Sequence, residues 1–204
     1  MPWRWLAMGQ FSIWDESWTL GVSMATSFRR VVTGHDAQGR AVIVEDGPPT
    51  RVFDNLGEKG LVFYEIWNTR ETPARIDRAS GEPAEPRLTL APPKGGTRIR
   101  VLDIPVDNPA TADLEAVFDN IGGKDAHIGA QAGKHASFHR TQSVDYGIVL
   151  DGEITLLMDE GETTLHAGDI CIQRGTNHGW VNRGTKPCRI AFILLDGVWD
   201  QDIA

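Results

Sequence analysis

HASFHRTQSVDYGIVLDGEITLLMDEGETTLHAGDICIQRGTNHGWVN, residues His135–Asn182, is the stretch whose reading decides the fold. Short β-rich runs (GIVLDG, EITLLMD, ETTLHAGD, DICIQRG) follow one another closely, separated by Gly- and Asp-bearing turns. That is the pattern of an all-β sandwich or barrel. Asp151-Gly152 and Glu160-Gly161 supply residues suited to turns with positive φ. His139 and Asp145 lie at the front of the stretch and His178 at its back. In a rolled-up sheet, front and back face each other across one cavity.

Strand parity sharpens this reading, because residues two apart share a face. His139, Thr141, Ser143, Asp145 and Gly147 have one parity; Val144, Tyr146, Ile148 and Leu150 have the other. One face is then polar with a gap at Gly147 and the other apolar, unless a bulge near Gln142-Ser143 interrupts the strand. His178, Trp180 and Asn182 also share a face, which sets an indole beside an imidazole. The implied pocket holds two imidazoles, one carboxylate, a threonine and an aromatic wall, the make-up of a small-ligand site.

Working outward, 204 residues with 41% hydrophobic and 24% charged content suit one domain, or one domain with an appended arm. A net charge of -8 argues against a nucleic-acid partner and gives no attraction to anionic lipid. No apolar run approaches the ~20 residues needed to span a bilayer, so no membrane partner is expected. Cys171 and Cys188 allow one disulfide, but free thiols in the buried strands of a cytoplasmic protein are the expectation.

Residues 1–23 hold four of the seven tryptophans, and Arg4, Gln10, Asp15 and Glu16 interrupt any secretory h-region. They read as an upstream extension before Met24 or as a docking arm. Residues 24–124 read as strands and a Pro-rich loop that pack on a barrel formed by residues 125–204. Phe28–Thr33 and Ala41–Val44 flank a turn and form a hairpin; Leu61–Trp67 is a further strand candidate. Residues 71–96 carry five prolines and read as loop. Thr97–Ile104 alternates polar and apolar residues like a half-buried strand, and Asp113–Asp119 is the short helix candidate, with Leu114 and Phe118 at i, i+4. Arg189–Leu195 is a near-continuous apolar run, consistent with a strand buried on both faces.

The sharp chemical reading is a metal: two histidines and a carboxylate with open positions suit non-haem Fe(II), and imidazole also suits Zn, Ni and Cu. The bland reading is a metal-free polar pocket. His35 and His166 read as turn residues, while His127 and His135 precede the first strand of the stretch. Gly152, Gly168 and Gly175 read as turn-makers. No Gly-x-Ser-x-Gly elbow is present. Without a metal, acid–base work falls to His139, Asp145 or His178.

These residues resemble the cupin family, whose motifs read G-x5-H-x-H-x3-4-E-x6-G and G-x5-P-x-G-x2-H-x3-N. Here the first becomes His139, Thr141, Asp145 and Gly152; the second becomes Gly168, Gln173, Gly175, His178 and Asn182. Gln173 stands for the family's proline, Thr141 for its second histidine and Asp145 for its glutamate. The resemblance implies an all-β double-stranded β-helix, a jelly-roll barrel, here with extra N-terminal strands and a short helix. It also implies a pocket containing Thr141, Gly147, Gln173, Trp180 and Asn182 around His139, Asp145 and His178. The implied cofactor is a divalent transition metal (Fe, Zn, Ni or Mn) on His139, Asp145 and His178, or none. The implied activity is that of a dioxygenase, decarboxylase or isomerase acting on a small acidic or aromatic molecule. The alternative is a non-catalytic small-molecule-binding or sensing module. The loss of an imidazole at Thr141 favours the module; the retained His139, Asp145 and His178 favour the enzyme. Pairing through sheets, common in the family, implies a homodimer, for which Leu61–Trp67 and the tryptophan-rich start supply apolar surface.

Overall fold

A computed structural model of the chain describes residues 28–78, 87–128 and 134–203. The readings placed on residues 1–23 therefore lie outside the described residues. Eleven strands dominate the described residues: β1 (Arg30–His35), β2 (Ala41–Gly47), β3 (Arg51–Phe53), β4 (Val62–Thr69), β5 (Thr97–Ile104), β6 (Ser143–Asp151), β7 (Glu153–Met158), β8 (Glu162–His166), β9 (Ile170–Arg174), β10 (His178–Val181) and β11 (Cys188–Asp196). One helix, α1 (Leu114–Asn120), and a 3₁₀ turn at Lys124–Ala126 precede β6. The all-β reading holds.

The strands form a six-stranded sheet in the order β3-β4-β5-β11-β6-β9, a three-stranded sheet β10-β7-β8, and the separate hairpin β1-β2. All pairings are antiparallel. Strands β4 and β5 thus continue the same sheet as the barrel strands β11, β6 and β9. Phe63, Leu102, Val149, Ile190 and Phe192 of the large sheet meet Ile154, Leu156 and Trp180 of the small one in a single buried cluster. Each such side chain, once withdrawn from water, contributes about 1.5–3 kcal/mol. Ile190 of the apolar run in β11 is fully enclosed, as its sequence predicts.

The tight corners follow the turn chemistry. Gly152 joins β6 to β7 with φ of 79°, and a Cβ there would lie 3.0 Å from the Pro187 carbonyl oxygen, so only glycine closes this hairpin without strain. Helix α1 starts where Asp113 accepts a hydrogen bond from the Ala116 amide. It turns Val117 and Phe118 into the core, and Asn120 donates from Nδ2 to the Leu56 carbonyl. Cys171 and Cys188 are free thiols.

Strand β5 inverts the usual sense of its alternation. Arg98 and Arg100, its charged parity, face the interior with 1% and 2% exposure. Glu65 of β4, opposite Arg100 in register, is also buried and lies 2.8 Å from Arg100 Nε and 3.3 Å from Arg98 Nε. Thr89 and Leu90 carbonyls accept further guanidinium bonds. The ion cluster is therefore close in distance and well supplied with acceptors, as buried charge requires.

Candidate functional site

A cavity of about 130 Å³ lies between the two sheets, beneath α1. Its wall is mostly apolar, with Phe63, Phe118, Trp180 and Phe192 supplying aromatic faces. His139, Thr141, Asp145, Gln173, His178 and Asn182 all reach it.

The two histidines meet because their backbones do. His139 and His178 form an isolated antiparallel bridge, exchanging N–H···O bonds of 2.8 and 3.1 Å. Directly opposed residues carry their side chains on the same face, and the ring centroids stand 4.2 Å apart. The Nδ1 of His139 is 2.8 Å from the Ser137 carbonyl, and the Nδ1 of His178 is 2.9 Å from the Thr176 carbonyl. A carbonyl only accepts, so each Nδ1 carries the proton and each Nε2 keeps its lone pair. Among the described residues neither Nε2 has a hydrogen-bond partner. Burial, then the neighbouring His178 and His127, hold His139 well below the usual histidine range. Burial brings His178 down to about 4. Both rings are neutral at physiological pH.

The close approach of this bridge needs Gly179. A Cβ there would come within 2.7 Å of the Phe138 ring and 2.8 Å of Ser137 Oγ. Trp180, one residue on, presents its ring edge to His178 with centroids 6.3 Å apart.

Asp145 and Gln173 sit opposite each other on β6 and β9. Burial pushes Asp145 up to about 6, against the opposing pull of the Ser143 hydroxyl and the Arg100 charge. Thr141 accepts a 2.9 Å bond from Ser143 Oγ. Asn182 is fully engaged: its Nδ2 donates to the carbonyls of Ile104 and Lys186, and its Oδ1 accepts from the Gly184 amide. It pins the turn after β10.

His139, Thr141 and Asp145, and His178, Trp180 and Asn182, all line the cavity, whereas Ser143, of the same parity as the first three, does not. Gly147 is corrected: it does not border the cavity, because the Phe192 ring occupies the space its side chain would take, 3.1 Å from a built Cβ. The proposed metal trio also divides. His139 and His178 are adjacent, but among the described residues no three His, Cys, Asp or Glu side chains assemble into a metal-holding group. Asp145 belongs with Gln173 and Arg100 on the large sheet.

Sequence reasoning missed several contributors. Arg100 lines the cavity from β5, and Phe118 enters it from α1, its ring stacked on His127 at 4.2 Å. At the cavity's rim, His135 Nδ1 takes bonds from both the Ser137 amide and hydroxyl, while its Nε2 lies 3.4 Å from Asp107 Oδ1. No spacing rule links Asp107 to His135; only the fold does.

Residues 126–194 match the Cupin_2 family, the cupin domain. The chain is 31% identical over 178 residues to the cupin-domain-containing oxidoreductase fogC of Aspergillus ruber, an alignment covering 82% of this chain and 71% of that protein. It is 41% identical over 177 residues to the cupin-domain-containing oxidoreductase srdD of Neurospora crassa, covering 82% and 74%. The phomopsin biosynthesis cluster protein C' of Diaporthe leptostromiformis is 31% identical, with 82% and 77% covered. Among solved structures, the Schizosaccharomyces pombe Cnp3 cupin domain aligns with a TM-score of 0.42 and 10% identity over 82% of this chain and 87% of that one. The paired antiparallel sheets, the histidines at both ends of the motif stretch and relatives matched along most of their length agree: this chain belongs to the cupin family.

Proposed function

We propose that the protein is an enzyme of the cupin oxidoreductase type, acting on a compact organic molecule enclosed between the two sheets. One observation carries this reading. Two buried, neutral imidazoles stand side by side, each fixed through Nδ1 by a backbone carbonyl and each with a free Nε2. That orientation is how proteins prepare histidine ligands. His139 and His178 would hold a divalent transition metal such as Fe, Zn, Ni or Mn, and a bound ion supplies Lewis-acid or redox chemistry at that end of the cavity. The donor set fits such an ion as a pair, leaving further positions to solvent or substrate. The aromatic wall excludes water and orients the substrate, and Asp145 takes or returns a proton at its carboxyl. The names of the relatives, cupin-domain-containing oxidoreductases, support the redox class over decarboxylation or isomerisation.

The test is elemental analysis of protein purified without added metal or a histidine tag, followed by calorimetric titration with Fe(II), Ni(II) and Zn(II). Stoichiometric binding that His178→Ala abolishes is the expected result. No binding of any of the three ions would overturn the metal-dependent reading. It would leave the second reading, a ligand-binding module without metal, in keeping with only two clustered donors among the described residues.

We also propose that the working unit is a homodimer. Tyr146, Leu150, Ile170 and Ile172 expose apolar surface on the outer face of β6 and β9, and a second copy of this chain would cover it.

A further inference from the structure

Besides the two Nε2 atoms, two deeply buried polar atoms facing the cavity have no partner among the described residues. Asp145 and Gln173 are 5% and 3% exposed, and among the described residues Asp145 Oδ1 and Gln173 Nε2 make no hydrogen bond. Buried polar groups are nearly always paired, and each exception asks for an explanation. Asn182, Thr141 and the two Nδ1 atoms bond within the protein, and the two Nε2 atoms are the ones proposed above to face a metal. The unpartnered atoms of Glu65 and Arg100 lie against each other's charge at 2.8 Å. Asp145 Oδ1 and Gln173 Nε2 have no such close ion pair, the Arg100 charge and the Ser143 hydroxyl acting on the Asp145 carboxyl without bonding Oδ1, and both side chains border open space.

Their placement is specific. They are directly opposed across β6 and β9, so their side chains leave the sheet on the same face with Cβ atoms about 4.5–5.5 Å apart. The amide offers an N–H and needs an acceptor; the carboxylate offers a lone pair and needs a donor. We infer that Asp145 and Gln173 are the recognition pair of the cavity, reading a ligand that carries an N–H or O–H donor beside a carbonyl acceptor. The aromatic wall and the cavity volume of about 130 Å³ suit a single planar ring as the body of that ligand; a dry apolar cavity of roughly 150 Å³ accepts benzene. Cyclic amides and ring hydroxy-carbonyl compounds share this edge. Carboxylate anions, which offer acceptors alone, do not. The inference rests on the cavity being the substrate site.

Small probes on metal-stripped protein test it, with affinity read by calorimetry or by ligand-observed NMR. 2-Pyridone (N–H beside C=O) should bind about tenfold more tightly than N-methyl-2-pyridone, which lacks the donor, one buried hydrogen bond being the difference. Tropolone, the hydroxy-carbonyl counterpart, distinguishes an O–H donor from an N–H donor by whether it binds more or less tightly than 2-pyridone. Benzoate should bind most weakly. Gln173→Leu should lose about tenfold in 2-pyridone affinity while binding benzene as the wild type does, which shows that the fold and cavity are intact. Asp145→Asn, neutral and bearing an amide donor, should admit benzoate. Equal affinity for 2-pyridone and its N-methyl analogue, or no binding of any probe, would overturn the pair. Discrimination without metal binding would instead sink the metal-dependent reading and leave the pair standing. Metal binding without discrimination would do the reverse.

Discussion

Asp145 and Tyr146 are consecutive residues of β6, yet they meet opposite worlds. The inner face of the large sheet carries Glu65, Arg98, Arg100, Asp145 and Gln173 among its core hydrophobics, all of them buried. The outer face of the same strands carries Tyr146, Leu150, Ile170 and Ile172, all open to solvent. Sheets with one wet face ordinarily put polar residues outside. Part of the outer face does behave as a core: Val62, Tyr64, Val101 and Ala191 are buried there, with Phe28 against Tyr64 at 5.1 Å. Arg189 grips Asp103 with two 2.6 Å bonds at the edge of that cluster. The lesson is that the most deeply buried charges, Glu65, Arg98, Arg100 and Asp145 at 5% exposure or less, lie on the inner face, while Asp103 on the outer face keeps 8%. Charge placed there costs stability unless it is paired, and Glu65 together with the Thr89 and Leu90 carbonyls supplies that pairing to Arg98 and Arg100.

The largest effect should come from breaking the inner ion cluster. Glu65→Leu leaves Arg98 and Arg100 buried without their carboxylate, and breaking such a pair costs about 3–5 kcal/mol. Thermal unfolding should show the loss directly. A melting temperature within a degree of wild type would mean that the backbone carbonyls of Thr89 and Leu90 alone sustain both guanidinium groups.

Asp145→Asn should act in the other direction. The folded carboxyl titrates at about 6, above the unfolded value of about 3.9. A group whose folded pKa is raised contributes stability that is complete below the unfolded pKa and is lost as pH rises through the folded one. The asparagine variant should therefore be more stable than wild type at pH 8, by about 2–3 kcal/mol at most, and indistinguishable from it near pH 3.5. His178 runs oppositely: its folded value near 4 lies below the usual histidine value, so its contribution is lost as pH falls from about 6.5 toward 4. Denaturant titrations at several pH values on wild type, Asp145→Asn and His178→Gln separate the two.

Much of this contrast was legible in the chain. The two-residue period of a strand put His139, Thr141 and Asp145 on one face, and Gly152 and Gly161 marked the hairpins that bring His178 round to meet them. The sense of the alternation was not legible. Nothing in Thr97–Ile104 says whether its arginines or its isoleucines look inward, because that depends on Glu65, which is remote in sequence and adjacent only in register. Shared parity could not fix the distance of Asp145 from the imidazoles either. The histidines sit on a bridge between loop and small sheet, whereas Asp145 sits on the large sheet. Gly147 read as open space because a glycine leaves a gap; the Phe192 ring from the neighbouring strand fills it.

Thr141→His sharpens the comparison from the inner side. Residue 141 lines the cavity on the same parity as His139, so an imidazole there would add a third donor to the pair of free Nε2 atoms. Divalent-metal affinity should rise by about tenfold, roughly 1.4 kcal/mol, in calorimetric titrations with Ni(II) or Zn(II). Unchanged affinity would show that the Ser143–Thr141 side of the cavity points away from the two histidines.

The smallest effect on the fold itself is expected outside. Ile172 is 53% exposed and pairs in register with Tyr146, whose ring is also open to solvent. Replacing an exposed apolar side chain by a charged one ordinarily changes the stability of a single chain by about 0.5 kcal/mol or less. Ile172→Asp should therefore leave the unfolding of the isolated chain, its metal binding and its affinity for ring-sized probes close to wild type. Its effect should instead fall on assembly. In an isologous dimer the same patch occurs on both partners, so one substitution plants two carboxylates in the interface, where an unpaired charge is costly to desolvate. Light scattering at micromolar concentration should give the mass of two chains for wild type and of one for the variant. A single-chain mass for both would mean that the apolar outer surface of β6 and β9 stays wet.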